Sequence, residues 1–426
     1  MQPVSLPVSL PPKADPQDLV ELRINGARLH RRIAELATIG ALEGGGVARL
    51  ALTDADRLAR DQVVRWMYEL GLAVSIDRIG NVIGTRPGRE ELPPVASGSH
   101  IDTVRTGGIL DGNLGVLTAL EVIATLNDAG LQTRRPLAVA FFTNEEGARF
   151  APDMMGSGVC QGSLELESAL ATVGIDGRSV GEELARIGYA GEATPGLDAY
   201  AFVELHIEQG PVLDREGITI GAVTGVQGIS WTELTLRGVS NHAGTTPIAL
   251  RQDAALVAAE ISVALRRIAV ELGPPQVATV GALTLRPNLI NVVPNHALMT
   301  LDLRNTDEAR LQESERRAFA AVAEFAAREG VEVSQRSLAR FAPVQFDERV
   351  IHRVERFAQA LGHSVRRLPS GAGHDAQMFA PRCPTGMIFV PSVDGISHNI
   401  RERTEPAHIE AGADVLLQTL LSLAEA

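Results

Sequence analysis

The sequence is almost without lysine. Among 426 residues Lys13 is the single one, and every other basic side chain is arginine. A lysine Schiff base and a phosphate-loop lysine are therefore excluded, unless Lys13, in a proline-rich tail, does that work. Cysteine is equally scarce, with only Cys160 and Cys383. Two thiols cannot staple a chain of this length or build a cysteine-rich zinc site, so free buried thiols in a reducing compartment are expected. No apolar run approaches the ~18 residues that suggest a membrane span. The opening MQPVSLPVSLPPK lacks a basic n-region and is broken by prolines, so it reads as a loose tail and not as a signal peptide. A cytoplasmic location without a membrane partner is expected. Basic charge is also in deficit, 39 Lys+Arg against 52 Asp+Glu, for a net −13. Such a chain has no electrostatic footprint for nucleic acid.

What is present is ordinary globular composition, 45% hydrophobic and 21% charged. That excludes collagen-like and disordered readings, and the length implies two or three compact units. Apolar spacing predicts a helix from Pro16 to about Ile39 and another from near Thr53 to Leu70, with Asp56 completing a capping pattern. Strand-like AVSIDRIGNVIGT turns at Gly80-Asn81. Apolar strands then alternate with helices: PVASGSHID, a helix over VLTALEVIATLNDAG, LAVAFFTNEE and AYAFVELHIEQG. This alternation predicts an α/β fold, a mostly parallel mixed sheet with helices on both faces. After about Gly221 the order becomes β-α-β-β-α-β, which predicts an inserted ferredoxin-like α+β domain over residues 223–340. Residues 1–222 and 341–426 would form the discontinuous catalytic domain, closing with a helix from Glu348 to Leu361, the strand TGMIFVP and a helix from about Glu410.

Several polar groups fall where strands end or helices begin. His100 and Asp102, two apart at a strand end, share a face. A metal-binding imidazole needs its other nitrogen held, and a carboxylate commonly does this; a surface histidine beside a turn aspartate is the plain alternative. Asp111 lies in the glycine-rich DGNLG before a helix. Glu145 and Glu146 follow an apolar strand. Adjacent carboxylates there repel unless a cation or a shared proton relieves them. One could ligate a metal while the other takes a proton from water; two solvated glutamates are the alternative. His206 lies in FVELHIEQG with Glu204 and Glu208 on its strand face, an exposed edge being the alternative. His398 sits in a loop after MIFVP, and His374 follows Gly373 in SGAGHDA, before a helix whose backbone N–H groups could bind a carboxylate. Three histidines and two carboxylates are what a two-metal N/O site requires.

Taken together, GSHIDTVRTGGILDGNLGV, TNEEGARF, ELHIEQGPVL, NHAGTTP and SGAGHDA resemble the hydantoinase/carbamoylase amidases of the dinuclear-zinc aminoacylase/exopeptidase superfamily. That resemblance runs from about residue 20 to the C-terminus. It implies that His100, Asp111 and His206 hold one divalent metal ion, and that Asp111, Glu146 and His398 hold a second. Asp102 would orient His100, and Glu145 would be the general base. Where the family usually has proline after the last His-Asn or His-Ser, this chain has Ile400. From the inserted domain, His242 would stabilise an oxyanion, and Asn291 and Arg304 would grip a substrate carboxylate, with Gln227, Gly373 and His374 as further substrate contacts. A capping loop for His242 and a surface salt bridge for Arg304 are the alternatives. The implied cofactors are two divalent ions, zinc first, with manganese, cobalt or nickel as substitutes. The implied activity is hydrolysis of N-carbamoyl-L-amino acids or N-carbamoyl-β-alanine. An allantoate amidohydrolase or dipeptidase is the second reading, and a non-catalytic metal-binding paralogue the third. A homodimer through the inserted domain is the implied partnership.

Overall fold

The computed structural model describes residues 21–426. They fall into two compact units, one of residues up to Thr224 together with Phe346–Ala426, the other Gly225–Gln345. These bounds lie two to five residues from those read off the sequence.

Following the chain, the first unit contains β1 (Ala73–Ile76), β2 (Val82–Arg86), β3 (Val95–His100), β4 (Leu137–Phe142), β5 (Ala201–Ile207) and β6 (Ile220–Val226). The second holds β7 (Gly228–Arg237), β8 (Val277–Arg286), β9 (His296–Asn305), β10 (Glu332–Phe341) and the short β11 (Val344–Gln345). The chain returns with β12 (Val365–Ser370) and β13 (Thr385–Val390). The large sheet runs β1-β2-β4-β3-β5-β13-β6-β11, and β12 also pairs with β6. Its four central strands β4, β3, β5 and β13 are parallel, while β1, β2 and β6 pair antiparallel. All four central strands are buried from end to end. This is why VASGSH, LAVAFF and TGMIFV read as continuous runs: strands covered on both faces have no polar side to alternate with.

The covering helices follow the same logic. Asn113–Asp128 and Pro406–Ala424 are buried around most of their circumference, as a helix inside a layered domain must be. The short helix Asp375–Phe379 stacks Phe379 on Phe202 of β5, ring centroids 4.0 Å apart.

Two expectations are corrected here. The first helix does not run unbroken from Pro16. Leu22–Asn25 is not helical, Asn25 caps a new helix Gly26–Ala37, and residues 16–20 lie outside the described residues. The break is held by the C-terminal helix, because Ile24 N donates to Asp414 and Gln418 donates to Leu22 O. The closing helix begins at Pro406, not near Glu410, with proline in the first turn, where its missing N–H costs nothing.

In the second unit the sheet order is β10-β7-β9-β8, all antiparallel. Numbered within the unit this is 4-1-3-2, the ferredoxin-like arrangement. Helices Ala254–Leu272 and Glu308–Glu329 pack Val257, Ile261, Leu265, Ile268, Leu311 and Val322 against Leu234, Leu236, Met299, Leu301 and Leu303. Alternation puts Arg304, Asp302 and Trp231 on the helix-free face. Among the described residues, no helix is long and apolar enough to cross a membrane.

Candidate metal centre

The C-terminal ends of parallel strands are where open α/β sheets place their sites. Here β3 ends in His100, β4 leads into Asn144-Glu145-Glu146, and β5 carries His206. Asp111 arrives from the loop before helix Asn113–Asp128, and His398 from the loop after β13. One ligand atom from each of His100, Asp111 and His206 lies within 4.8 Å of the other two, and the same holds for Asp111, Glu146 and His398. Asp111 belongs to both groups. Its Oδ1 is 3.2 Å from His206 Nε2 and 3.8 Å from His100 Nε2, while Oδ2 is 3.3 Å from His398 Nε2. His398 Nε2 is also 3.3 Å from Glu146 Oε2. Glu145 Oε2 stands 3.3 Å from His100 Nε2.

The donor chemistry fits cations. His100 Nδ1 faces the backbone carbonyl of Asp102 at 2.9 Å. A carbonyl only accepts, so Nδ1 carries the proton and Nε2 turns its lone pair to the cleft. His206 Nδ1 is set in the same way by Ile207 O at 2.9 Å. Glu146 Oε1 is buried with no hydrogen-bond partner, a costly state that a cation would relieve.

Asp102 orients His100, but through its carbonyl, since the carboxylate Oδ1 is 3.9 Å from Nδ1. The carboxylate instead accepts the backbone N–H groups of Glu145 and Glu146, at 3.3 and 3.4 Å. One residue therefore fixes a histidine and both glutamates. Glu204, 0% exposed on the central strand β5, accepts from Ser99 Oγ and Ala376 N. Glu208 lies just past the strand and accepts from Val212 N and Leu213 N, so it serves the next helix and not the site. His374 is buried, its ring against His206 with centroids 4.5 Å apart and its Nε2 at Ser370 Oγ, so it braces a proposed ligand ring; with Glu204 and His206 it also forms a third candidate donor group. Gly373, half-buried beside it, packs on Met154.

Four residues of this neighbourhood were not singled out as site residues in the sequence. Gln209 Nε2 donates to Asp111 Oδ2 at 2.9 Å, and Ser397 Oγ to the same oxygen at 3.1 Å. Glu402 accepts from Leu110 N, Asp111 N and Ser397 Oγ. Gly112 N lies 3.1 Å from His206 Nε2. The available signals were weak: a glutamine after a strand, and a glutamate four residues beyond the loop histidine. Asn144, Gln209 and His398 all have positive φ, and such strain in non-glycine residues gathers at functional sites.

The electrostatics follow from packing acids together. Burial, reinforced by the charges of Asp375, Glu146, Asp102 and Asp111, holds the Glu145 carboxyl well above the usual carboxylate range. Burial and the charges of Asp56 and Glu146 push Asp102 up to about 8. Hydrogen bonds to Asp111 and Glu146 raise His398 to about 11. Burial opposes charge on His206, yet its bond to Asp111 carries it to about 9. His206 and His398 thus hold protons where a cation would take their lone pairs. A cation must displace those protons, so its affinity is expected to fall as pH drops from 9 to 6, about tenfold per pH unit for each proton displaced. Chelator competition across that range checks this; a flat profile would contradict it.

In the second unit, His242 and Asn291 stand on neighbouring exposed loops joined by Ala243 N donating to Asn291 O and Val293 N to Asn241 O, at 2.9 and 2.8 Å. Gly244 N donates to His242 Nδ1 at 3.0 Å, so the proton of a neutral ring sits on Nε2. Arg304 is held by Asp302 through Nε and Nη2, at 3.0 and 2.9 Å, so it takes part in the surface salt bridge that the sequence left open. Gln227 is half-buried in the turn between β6 and β7.

Comparison with known proteins agrees with this geometry. Residues 96–422 match the model of peptidase family M20/M25/M40. The chain belongs to that family. Among the relatives of this M20 chain is an N-carbamoyl-L-amino-acid amidohydrolase of Rhizobium meliloti, 43% identical over 95% of this chain and 97% of its own. A ureidoglycolate hydrolase of Arabidopsis thaliana is 35% identical over 94% and 87%. Among solved structures, a hydantoinase/carbamoylase family amidase from Burkholderia multivorans superposes with a TM-score of 0.92 at 46% identity, covering 95% of this chain and 99% of that one. The M20 chain is a hydrolase of the amidohydrolase kind, with a mixed α/β fold; its described residues hold three candidate metal-ligand groups, the two that share Asp111 and a third of Glu204, His206 and His374.

Proposed function

We propose that the protein hydrolyses the carbamoyl C–N bond of N-carbamoyl-L-amino acids or N-carbamoyl-β-alanine, giving the amino acid, ammonia and carbon dioxide. The observation that carries this reading is the pair of donor groups sharing Asp111, with Glu145 beside them, in a chain so similar to enzymes of that name. His100, Asp111 and His206 would hold one divalent ion, and Asp111, Glu146 and His398 the other. Zinc is the first choice, with manganese, cobalt or nickel as alternatives. When bound, such ions polarise a carbonyl and acidify water.

The chain's own residues do the rest. Glu145, its proton affinity raised by burial and by its acidic neighbours, accepts a proton from the attacking water and hands it to the leaving nitrogen. Asp102 keeps His100 and both glutamate amides in register. His242, its Nε2 proton directed by Gly244, donates to the developing oxyanion. Asn291 and Arg304 bind the substrate carboxylate, the arginine fork being pinned by Asp302. Gln227 and Gly373 are further proposed contacts, and His374 acts by bracing His206.

Ammonia release from N-carbamoyl-L-amino acids, N-carbamoyl-β-alanine, ureidoglycolate and allantoate, beside a dipeptide control, tests the reading. The carbamoyl amino acids should give the highest kcat/KM. Preference for ureidoglycolate, the reading favoured by the plant relatives, or for allantoate would replace the substrate; hydrolysis of the dipeptide alone would overturn the proposal. Arg304→Ala should raise KM for substrates with a free carboxylate ~10–100-fold, the worth of a charge-assisted bond. An equal loss on substrates with an amidated carboxylate would remove Arg304 from that role.

A homodimer through the second unit accompanies this reading. Leu256, Val263 and Val270, spaced seven apart on helix Ala254–Leu272, are 44%, 71% and 72% exposed. They accompany β8, an edge strand with Val277 and Leu283 exposed. Val263→Glu should shift the sedimentation coefficient toward the monomer; an unchanged coefficient would place the interface elsewhere.

A further inference from the structure

Arg49 is one of the largest fully buried side chains, 1% exposed, and every hydrogen bond its guanidinium makes is to a neutral acceptor. A buried cation without a paired anion is expensive and needs a reason. Its four bonds supply one. Nε donates to Ile101 O at 3.2 Å, and Ile101 lies between His100 and Asp102. Nη2 donates to Asn113 Oδ1 at 2.7 Å. Asn113 in turn directs both its backbone N and its Nδ2 at the carbonyl of Asp111, at 2.7 and 3.0 Å. Nη1 reaches Leu36 O and Ile39 O, where helix Gly26–Ala37 ends. The Arg49 backbone also exchanges bonds with Thr103, donating to Thr103 Oγ1 and accepting from Thr103 N. Val47 and Gly107 exchange bonds one step further along. The segment Val47–Arg49 thus lies along the loop joining His100 to Asp111.

We infer that Arg49 is a positioning residue: its guanidinium fixes the distance between the segment just after His100 and the Asp111 turn, and with it the geometry of the shared ligand set. This rests on the reading of His100 and Asp111 as metal ligands. A planar fork with five donors can span these acceptors, whereas a lysine ammonium keeps the charge and loses the span.

That difference separates geometry from electrostatics. A cation near a cation site repels the incoming metal, so an arginine acting through charge alone would weaken metal binding. Its removal in Arg49→Met would tighten binding, and Arg49→Lys would leave it unchanged. A positioning residue gives the opposite pattern, with both variants binding metal more weakly. The test is chelator competition with zinc on the full-length wild type, Arg49→Lys, Arg49→Met and Asn113→Ala, with circular dichroism as the check on folding. Both Arg49 variants should bind zinc at least ~10-fold more weakly, the usual cost of losing a group that orients a ligand, and at saturating zinc kcat should fall with KM little changed. Wild-type affinity in Arg49→Lys, or tighter binding in Arg49→Met, would overturn the inference. Should neither Arg49 variant fold, Asn113→Ala decides: weaker zinc binding sustains the relay, and unchanged binding refutes it. A wild type that binds no zinc would refute the metal site itself, a different failure from wild type and variants binding alike.

Discussion

Glu145→Gln is expected to retain the proposed pair of metal ions and to lose turnover by ~10²–10⁴-fold, the span that removal of a general base commonly covers. Glu145 belongs to none of the converging donor groups, so the amide removes the proton acceptor and spares the proposed ligands. Its carboxyl is buried among Asp375, Glu146, Asp102 and Asp111, which raise its proton affinity. The same crowding that makes it a poor anion strengthens it as a proton acceptor. The measurements are kcat on a carbamoyl substrate and metal content per chain. Loss of metal would make Glu145 a ligand, and near-normal kcat would remove it from the chemistry.

The second large effect is expected at a residue with no side chain. Gly112 has φ +65° and caps helix Asn113–Asp128, and a Cβ there would stand 2.4 Å from His100 Cε1 and Nε2. It cannot be placed without moving the imidazole. Gly112 N also points at His206 Nε2, so both proposed histidine ligands of one group depend on this backbone. Gly112→Ala should weaken metal binding by more than ~10-fold and cost about 1–3 kcal/mol from backbone strain. Metal content after dialysis and the thermal midpoint check this. Full metal content at wild-type affinity would mean that His100 has room that the packing denies it.

How much of this was legible in the sequence depended on the range of the cause. The parallel core strands were visible because burial on both faces leaves an unbroken apolar run, as in LAVAFF. The βαββαβ order of the second unit was visible because its strands alternate and its helices carry one apolar face. His100, Asp111, Glu145, Glu146, His206 and His398 lie at strand ends or in the loops that follow them, inside recognisable motifs, and the fold brings all six together.

What was not legible came from contacts far apart in the chain. Arg49 meets Asn113 across 64 positions, and Ser397 meets Asp111 across 286. No local pattern announces such partners. The break at Leu22–Asn25 is likewise made by Asp414 and Gln418, nearly four hundred residues later. In other places the residue was right and the atom was not. His100-x-Asp102 suggested a carboxylate on the imidazole, but the backbone after β3 brings the Asp102 carbonyl there and frees the carboxylate for two amides. The start at Pro406 follows proline's preference for the first helical turn, a signal as local as any in the sequence.

The most direct measurement of the central claim is ammonia release from an N-carbamoyl-L-amino acid, recorded as zinc or manganese is titrated into protein freed of metal. If both donor groups sharing Asp111 must be filled, activity should be absent at the start and rise to a plateau at two equivalents per chain. Activity in the metal-free protein, a plateau at one equivalent, or no ammonia at any metal content would contradict the claim.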